Sequence, residues 1–202
     1  MKLNDILVES PPMRISDFED YAFDDLDANR QRYDLFVKFE PKKHINNFNG
    51  VDVYELRIGG EDILVGLYHP TKLVVYYCNY EVKVEPNAGR TCTQIMLWSK
   101  RSKRVKDLPR IIFFNYLMKK YKTMQTDTMQ TPDGERFWLG NIRTAFDVGY
   151  NVYHYNNASH KLAQLSSYDE FKEYYLADAF WGSQFSHGDI TILISSKDLK
   201  TS

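Results

Sequence analysis

The chain has 202 residues, of which 15% are aromatic, and a formal net charge of −1 at pH 7. This length predicts a single globular domain with a sizeable core, and the near-zero charge excludes a general attraction of the protein to nucleic acid or anionic membranes. The sequence has no apolar run near the roughly 20 residues of a transmembrane helix, and its first residues lack the apolar stretch of a signal peptide. We therefore expect no membrane association and a cytoplasmic protein.

The N-terminal segment is strongly acidic. Residues 17–27 contain six carboxylates and no Lys or Arg, interleaved with Phe18, Tyr21, Phe23 and Leu26. This pattern is typical of an amphipathic helix with a solvated acidic face. An alternative is an acidic arm that docks on a basic surface of a partner or of this protein. We predict a helical, acidic arm over residues 1–32, followed by a single domain over 33–202.

Alternating apolar and polar residues predict the next elements. Residues 33–39 alternate and are expected to form a strand, followed by a polar loop over 44–49. Four further strands are predicted over 51–58, 63–69, 73–84 and 91–98. The connectors between these four strands have turn chemistry. Consecutive strands joined by short turns form an antiparallel meander.

The cysteines and histidines indicate neither a disulfide framework nor a metal site. Cys78 and Cys92 are the only cysteines, and we expect both to be free, buried thiols. The five histidines are scattered without the spacing of a zinc site. No metal is therefore predicted.

The densest positive charge follows the last strand of the meander. Five cations fall within seven residues, with Arg110 just beyond: Lys100, Arg101, Lys103, Arg104 and Lys106. Pro109 suits the first turn of a helix, and an apolar stripe follows at Ile111, Phe114, Met118 and Tyr121. A strand is thus expected to lead through a cationic loop into a helix N-terminus. This arrangement favours the binding of anions. We call residues 100–106 the basic loop.

The remaining elements alternate between helix and strand. Thr131 and Pro132 predict the start of a helix with an inward face at Trp138, Ile142 and Ala145, and Gly149 is placed to end it. A strand follows over 150–155. Ser167 and Glu170 predict a capping box for a helix through about residue 176, and residues 190–195 predict a strand covered on both faces. The fold class is α+β, an α/β sandwich in which an antiparallel meander precedes α-β-α-β.

The segment from Ile95 to Tyr155, about a third of the chain, resembles the second half of a GNAT-family N-acetyltransferase domain. It is most similar to divergent phage-encoded members, whose S/T-D…T-x-x-G-x-x-x-W run is matched by Thr126-Asp127, Thr131, Gly134 and Trp138. In the coenzyme loop R-x-x-G-x-G/A of the family, Arg101 or Arg104 matches the leading arginine. The resemblance implies a GNAT-like mixed sheet flanked by helices, in the order meander, anion loop, helix, strand, helix, strand.

The resemblance also implies an activity. It would make the protein a bacteriophage acyl-CoA-dependent N-acyltransferase that transfers an acetyl group to an amine of a host protein or small molecule. Five cations would then bind acetyl-CoA: Arg101, Lys103, Arg104, Lys106 and Arg110. The acceptor amine needs a general base, and the candidates on or beside the meander are Glu55, His69 and Glu81. Tyr76, Tyr77 and Tyr80 either line an acceptor pocket or pack in the core.

Two departures from the family leave other functions open. Residues 99–110 include no glycine, although glycine lets the backbone approach phosphate closely. Trp138 lies in the neighbourhood of the family's general-acid tyrosine, and an indole N–H is not a useful acid. The protein is therefore either an active acyltransferase, a catalytically degenerate GNAT-fold phage protein that binds and inhibits a host factor, or a virion or assembly component. In the last two hypotheses the arm 17–27 and the basic loop dock on a host or virion protein. The cations are confined to one loop and do not form a face with interleaved aromatic residues, which argues against nucleic-acid binding.

Overall fold

The computed structural model describes residues 21–103, 105–127, 132–176 and 190–200. Within these ranges the fold is mixed α and β, as predicted, and nine strands form one mixed sheet. None of the described helices has the length and apolar character to span a membrane.

The strands are β1 (Lys42–Phe48), β2 (Val51–Ile58), β3 (Glu61–Tyr68), β4 (Leu73–Glu85), β5 (Gly89–Ser99), β6 (Thr123–Gln125), β7 (Asn151–Asn156), β8 (Leu162–Leu165) and β9 (Ile190–Ser195). The helices are α1 (Tyr21–Asp24), α2 (Leu26–Lys38), α3 (Leu108–Ile112), α4 (Met118–Tyr121), α5 (Pro132–Asp147) and α6 (Tyr168–Leu176). A 3₁₀ turn (His69–Thr71) joins β3 to β4, and a π-helical turn (Phe113–Leu117) joins α3 to α4. The strand order in the sheet is β1-β2-β3-β4-β5-β6-β9-β7-β8.

The chain divides into two compact units. The first, which we call the meander unit, comprises the described residues up to Asn79 together with those of Met96–Pro109. The second, the C-terminal unit, comprises Tyr80–Ile95 and the described residues from Arg110 onward.

Two tight hairpins organise the meander unit. β1 and β2 pair antiparallel with Phe48 opposite Val51, and β2 and β3 pair with Ile58 opposite Glu61. Each two-residue connection has both residues at positive φ, 53° and 82° at Asn49-Gly50 and 60° and 94° at Gly59-Gly60. Such turns match the twist of the flanking strands and favour Asn and Gly at these positions.

The strand predicted over residues 33–39 is wrong, because these residues belong to α2. Asp25 caps the helix by accepting a hydrogen bond from the Ala28 N–H at 2.7 Å. The helix buries Asn29, Tyr33 and Phe36, which have helical spacing, and leaves Val37 39% exposed. A strand would have placed Tyr33 and Phe36 on opposite faces, yet both are buried. The cap and the helical period outweigh the short alternation, and the helix runs across the predicted boundary at residue 32.

The polar loop predicted over 44–49 is also wrong. Residues Lys42–Phe48 form β1, which stands at one end of the strand order and pairs with β2. An edge strand tolerates polar side chains because one side of it faces solvent, and a β-bulge between His44 and Asn46 interrupts its ladder. Bulges and charged residues are devices that protect sheet edges.

The described part of the acidic arm packs against β4 and β5 within the meander unit. The Phe23 ring stacks on Trp98 with ring centres 4.8 Å apart and lies 5.2 Å from the Tyr77 ring. Of the carboxylates, Asp25 caps α2 and Asp27 lies 3.9 Å from Arg30. These two groups therefore serve the helix itself, while residues 17–20 lie outside the described residues.

A single buried amide joins α2 to the sheet. Asn29 donates from Nδ2 to the Val74 carbonyl at 3.0 Å and to the Phe23 carbonyl at 2.8 Å, and its Oδ1 accepts the Val74 N–H at 2.8 Å. Its side chain thus pairs with Val74 as a neighbouring strand would. Asn29 is 1% exposed, so each of these bonds replaces one to water that folding removes.

In the C-terminal unit β5 pairs parallel with β6, with Cys92 opposite Met124. β9 lies between β6 and β7 and is antiparallel to both. As predicted, the residues of β9 after Ile190 are buried, and both cysteines are buried and outside any disulfide. α5 buries Trp138, Ile142 and Ala145, and the turn after it has Gly149 at a φ of 78°.

A chain of buried polar side chains crosses this unit. Thr91 on β5 donates to Gln125 Oε1 on β6 at 2.9 Å, and Gln125 Nε2 donates to Thr191 Oγ1 on β9 at 3.0 Å and to Asn157 Oδ1 at 3.3 Å. Gln125 therefore uses both ends of its amide to join three strands.

The Asn29 contacts predict a large effect of Asn29→Asp. The carboxylate retains an acceptor for the Val74 N–H but lacks the donors to the carbonyls of Val74 and Phe23, and it brings a charge into a buried position. We expect the free energy of unfolding to fall by about 3 kcal/mol, measured by urea denaturation. Asn115→Asp, at an exposed asparagine, is the control. Equal losses in the two variants would contradict the assigned role of Asn29.

Candidate functional site

A hydrogen-bonded cluster in the meander unit is centred on Asp52 of β2. Its Oδ1 accepts from His44 Nε2 at 3.0 Å and from Asn47 Nδ2 at 3.0 Å. Its Oδ2 lies 3.3 Å from Nε2 of His69, in the 3₁₀ turn after β3. The other ring nitrogen of His69, Nδ1, is hydrogen bonded to the Tyr33 hydroxyl of α2. Three elements, α2, the 3₁₀ turn and β2, thus bring together a hydroxyl, an imidazole and a carboxylate, which we call the Tyr33–His69–Asp52 chain.

The carboxylate favours one arrangement of the protons along this chain. Asp52 Oδ2 lies 3.3 Å from His69 Nε2, and an ionised carboxylate accepts protons but donates none, so we assign the proton of a neutral His69 ring to Nε2. Nδ1 is then an acceptor, and Tyr33 donates its hydroxyl proton to it. The arrangement holds an unprotonated imidazole nitrogen against a hydroxyl, with a carboxylate orienting the ring from behind. This is the geometry in which an imidazole acts as a base toward a hydroxyl.

Within the Tyr33–His69–Asp52 chain, the surroundings lower the pKa of Asp52 and raise the pKa of Tyr33. Burial acts to raise the pKa of Asp52, but the N–H donors of Asn47 and His44 and the neighbouring His69 outweigh it, and the pKa lies below its ordinary value of 3.8. Burial, reinforced by the negative charges of Asp34 and Asp52, raises the pKa of Tyr33 above 10.0. Asp52 is therefore an anion at neutral pH, and Tyr33 is a neutral phenol.

The Tyr33–His69–Asp52 chain is exposed to solvent at His69. The Tyr33 ring is packed in the core with Phe36 and Tyr77, and the residue is 6% exposed. The His69 side chain is 44% exposed. The imidazole thus lies at the surface and its hydroxyl partner immediately beneath it.

The three predicted bases are not brought together. Asp52 and Glu55 are three residues apart on a regular part of β2, so their side chains lie on opposite faces of the sheet. Glu81 forms an exposed ion pair with Lys83 at 3.0 Å. His69 alone of the three joins the Asp52 cluster. Tyr76, Tyr77 and Tyr80 are at most 2% exposed, so they are core residues in this structure.

The basic loop lines an open depression of about 450 Å³. Its lining residues are Ser99, Lys100, Arg101, Ser102, Lys103, Lys106 and Pro109. Arg101, Lys103 and Lys106 are exposed there, Arg110 is exposed at the third position of α3, and Arg104 lies outside the described residues. The described cations predicted to bind a coenzyme are therefore all at the surface.

Turns within the loop use several of its backbone donors. The N–H groups of Val105 and Lys106 donate to the Ser102 carbonyl, and the Leu108 N–H donates to the Val105 carbonyl. The Ser102 N–H donates to the Lys100 carbonyl, and the Val105 side chain is buried. An anion in the depression would consequently be bound by cationic side chains rather than by these N–H groups.

Two residues that resemble the phage run, Thr126 and Trp138, make structural contacts in the C-terminal unit. Trp138 is 2% exposed and meets Phe113 edge-on at 5.4 Å. Thr126 exchanges hydrogen bonds with Ile192 of β9, its N–H donating to the Ile192 carbonyl and its Oγ1 accepting the Ile192 N–H, both at 3.0 Å. Thr131 lies outside the described residues. Trp138 is a core anchor.

A second tyrosine–histidine pair lies in the C-terminal unit. The Tyr155 hydroxyl lies 3.0 Å from Nδ1 of His160, 3.3 Å from the Glu85 carboxylate and 3.2 Å from the Pro86 carbonyl. Burial and the charge of Glu85 raise the pKa of Tyr155 to about 12. This hydroxyl ties two turns together, and within the described residues no carboxylate orients the far side of the His160 ring.

Sequence analysis missed Tyr33, His44 and Asp52. Tyr33 was assigned to a strand and His44 to a loop, and Tyr33 and His69 are 36 residues apart in the chain. One signal was present in the sequence: Asp52 interrupts the apolar residues of a predicted strand. Among the described residues no group of three or more His, Cys, Asp or Glu side chains is arranged to hold a metal ion.

No protein-family model matches the sequence, and no curated protein matches it.

The lowered pKa of Asp52 predicts an acid-dependent contribution to stability. Because the folded-state pKa lies below the ordinary 3.8, this contribution is fully present above that value and is lost as the pH falls through the folded-state pKa. We expect Asp52→Asn to destabilise the protein at about pH 7, and the difference from wild type to shrink at about pH 3. Urea denaturation at both pH values measures it, with the exposed Asp24→Asn as control. A difference that grows toward low pH would contradict the prediction.

Proposed function

We propose that this protein is a GNAT-like, phage-type N-acyltransferase that takes an acetyl group from acetyl-CoA and transfers it to an amine of a host protein or small molecule. The observation that carries the proposal is the placement of two groups in the meander unit. A cationic loop and the His69–Asp52 pair lie at the same end of the meander, where a phosphate-bearing donor and an acceptor needing a base can meet.

The strand directions give this placement. β3 ends directly before His69, β4 starts at Leu73, and β5 ends at Ser99, directly before the basic loop. β4 is the neighbour of both β3 and β5, and the Lys100 N–H donates to the Val75 carbonyl near the start of β4 at 2.9 Å. Since adjacent strands lie about 4.8 Å apart, the ends of β3 and β5 are separated by about 10 Å across the sheet.

The order of elements supports the same proposal. The resemblance implies a meander, an anion loop, a helix, a strand, a helix and a strand. The chain has β1 to β5, the basic loop, the helical segment from α3 to α4, β6, α5 and β7 in this order. The helical segment carries a π turn, in which the Met118 N–H donates to the Phe113 carbonyl. Such turns are frequent at functional sites.

Recognition of the coenzyme would depend on charge. The basic loop offers exposed cations and uses three of its N–H groups, those of Ser102, Val105 and Lys106, internally. Ammonium and guanidinium groups bind phosphate without a backbone cradle, and exposed charges are screened by salt. Acetyl-CoA should therefore bind more weakly as the ionic strength rises.

A catalytically degenerate GNAT-fold protein is the second candidate, and two observations favour it. Trp138 is a buried packing residue, and three N–H groups of the basic loop donate within the loop. In that function the exposed cations of the basic loop dock on an acidic surface of a host factor or a virion protein.

Titration calorimetry of acetyl-CoA into the protein tests the first candidate. We expect saturable binding at low salt, weaker binding at moderate salt, and at least a tenfold loss, about 1.4 kcal/mol, in the triple variant Arg101→Ala, Lys103→Ala, Lys106→Ala. The control, Lys43→Ala, Lys119→Ala, Lys161→Ala, removes the same charge at exposed lysines outside the loop.

Absence of binding by the folded wild-type protein would exclude acetyl-CoA as a ligand. Equal losses in the two triple variants would show a general charge effect, with no coenzyme site at the loop. Either result would favour the second candidate, and pulldowns with and without the loop cations would follow.

A further inference from the structure

The Tyr33–His69–Asp52 chain has a feature that a base acting directly on an acceptor amine does not need. Both ring nitrogens of His69 are engaged, Nε2 with Asp52 and Nδ1 with the Tyr33 hydroxyl. The group that the unprotonated nitrogen faces is therefore a phenol of the protein itself.

We propose that Tyr33 is an acyl acceptor, so that the meander unit forms a covalent acyl-tyrosine with an activated ester or thioester. Only the identity of the natural donor rests on the proposed function. The chemistry depends on the hydroxyl, the imidazole and the carboxylate alone.

The step balances without a further reactant. The Tyr33 oxygen attacks the acyl carbonyl carbon, its proton passes to His69 Nδ1, and Asp52 stabilises the imidazolium through the Nε2 proton. The C–O bond to Tyr33 forms while the bond from the acyl carbon to the leaving sulfur or oxygen breaks. The imidazolium proton then goes to the departing thiolate or alkoxide. The products are O-acyl-Tyr33 and the free thiol or alcohol.

The surroundings of Tyr33 fit this role better than those of the other tyrosine–histidine pair. At neutral pH the Tyr33 hydroxyl is protonated, so a base is needed, and His69 lies 3.3 Å from a carboxylate that also accepts hydrogen bonds from His44 and Asn47. Tyr155 also faces an imidazole nitrogen, but its hydroxyl is shared with the Glu85 carboxylate and the Pro86 carbonyl. Tyr155 therefore provides a matched control.

The half-exposed His69 marks the side from which a donor approaches in this proposal. A small acyl ester reaches the hydroxyl past the exposed imidazole, while the Tyr33 ring is packed in the core. An acceptor amine takes the acyl group from the aryl ester in a second step.

The experiment uses p-nitrophenyl acetate, which has no coenzyme portion. We expect a rapid release of about one equivalent of nitrophenolate per protein followed by slow turnover. After digestion with trypsin, the acetyl group should be on the phenol of the peptide 33–38, which follows Arg32 and ends at Lys38. Neutral hydroxylamine should remove it, because it cleaves aryl esters and leaves acetyl-lysine intact.

The variants separate chemistry from folding. Tyr33→Phe should abolish both the burst and the label, and Tyr155→Phe should retain them. His69→Gln keeps a hydrogen-bonding side chain beside the hydroxyl but no base, and should slow the burst at least about 100-fold. If Tyr33→Phe does not fold, the burst rate of His69→Gln still tests the proposal. An undiminished burst in folded His69→Gln, or acetyl groups found only on lysines, would overturn the proposal.

This outcome is independent of the coenzyme titration. Labelling of Tyr33 without binding of acetyl-CoA would leave the acyl-tyrosine intact and remove the proposed donor. Binding of acetyl-CoA without labelling of Tyr33 would keep the acyltransferase proposal and overturn this one.

Discussion

The position of α2 depends on the side chain of Asn29. A helix has no free backbone groups to offer a sheet, and the amide supplies a donor and an acceptor to Val74 where a strand would otherwise be needed. Tyr33 follows one turn later on the same helix, so the bonds that hold Asn29 also set where the phenol lies. The candidate site is in this sense built from two adjacent turns, one that attaches the helix and one that presents a hydroxyl to His69.

The sequence predicted the parts of the fold in which one pattern dominates. β2, β4, β5 and β9 were found because their apolar residues face a core, and α5 because a cap, a helical stripe and Gly149 agree. α2 was missed because Leu35 and Val37 imitate a strand, although Val37 is exposed. β1 was missed because an edge strand needs little apolar surface. His69 was singled out as a base, but its partners Tyr33 and Asp52 come from elements that only the tertiary fold brings together.

For the basic loop, too, the sequence predicted the composition but not the geometry. The cluster of cations was evident from the sequence, and the structure shows an open depression lined by those cations. The turns that occupy three of its N–H groups depend on backbone angles that no residue type in the loop dictates. A loop without glycine thus keeps its shape by bonding to itself, and its affinity for anions is left to flexible side chains at the surface.

The polar chain through Gln125 has a consequence for how this sequence can change over generations. Thr91, Gln125 and Thr191 are buried on three different strands and satisfy one another. Replacing Gln125 alone by an apolar residue leaves the Thr91 hydroxyl without its partner in a water-free interior and leaves the Thr191 hydroxyl with Asn157 only. Replacing Thr91 alone leaves the Gln125 carbonyl without its donor. Drift at Gln125 or Thr91 is therefore disfavoured until a neighbour changes with it. Homologues should carry either this set or a wholly apolar substitute, with few intermediates between them.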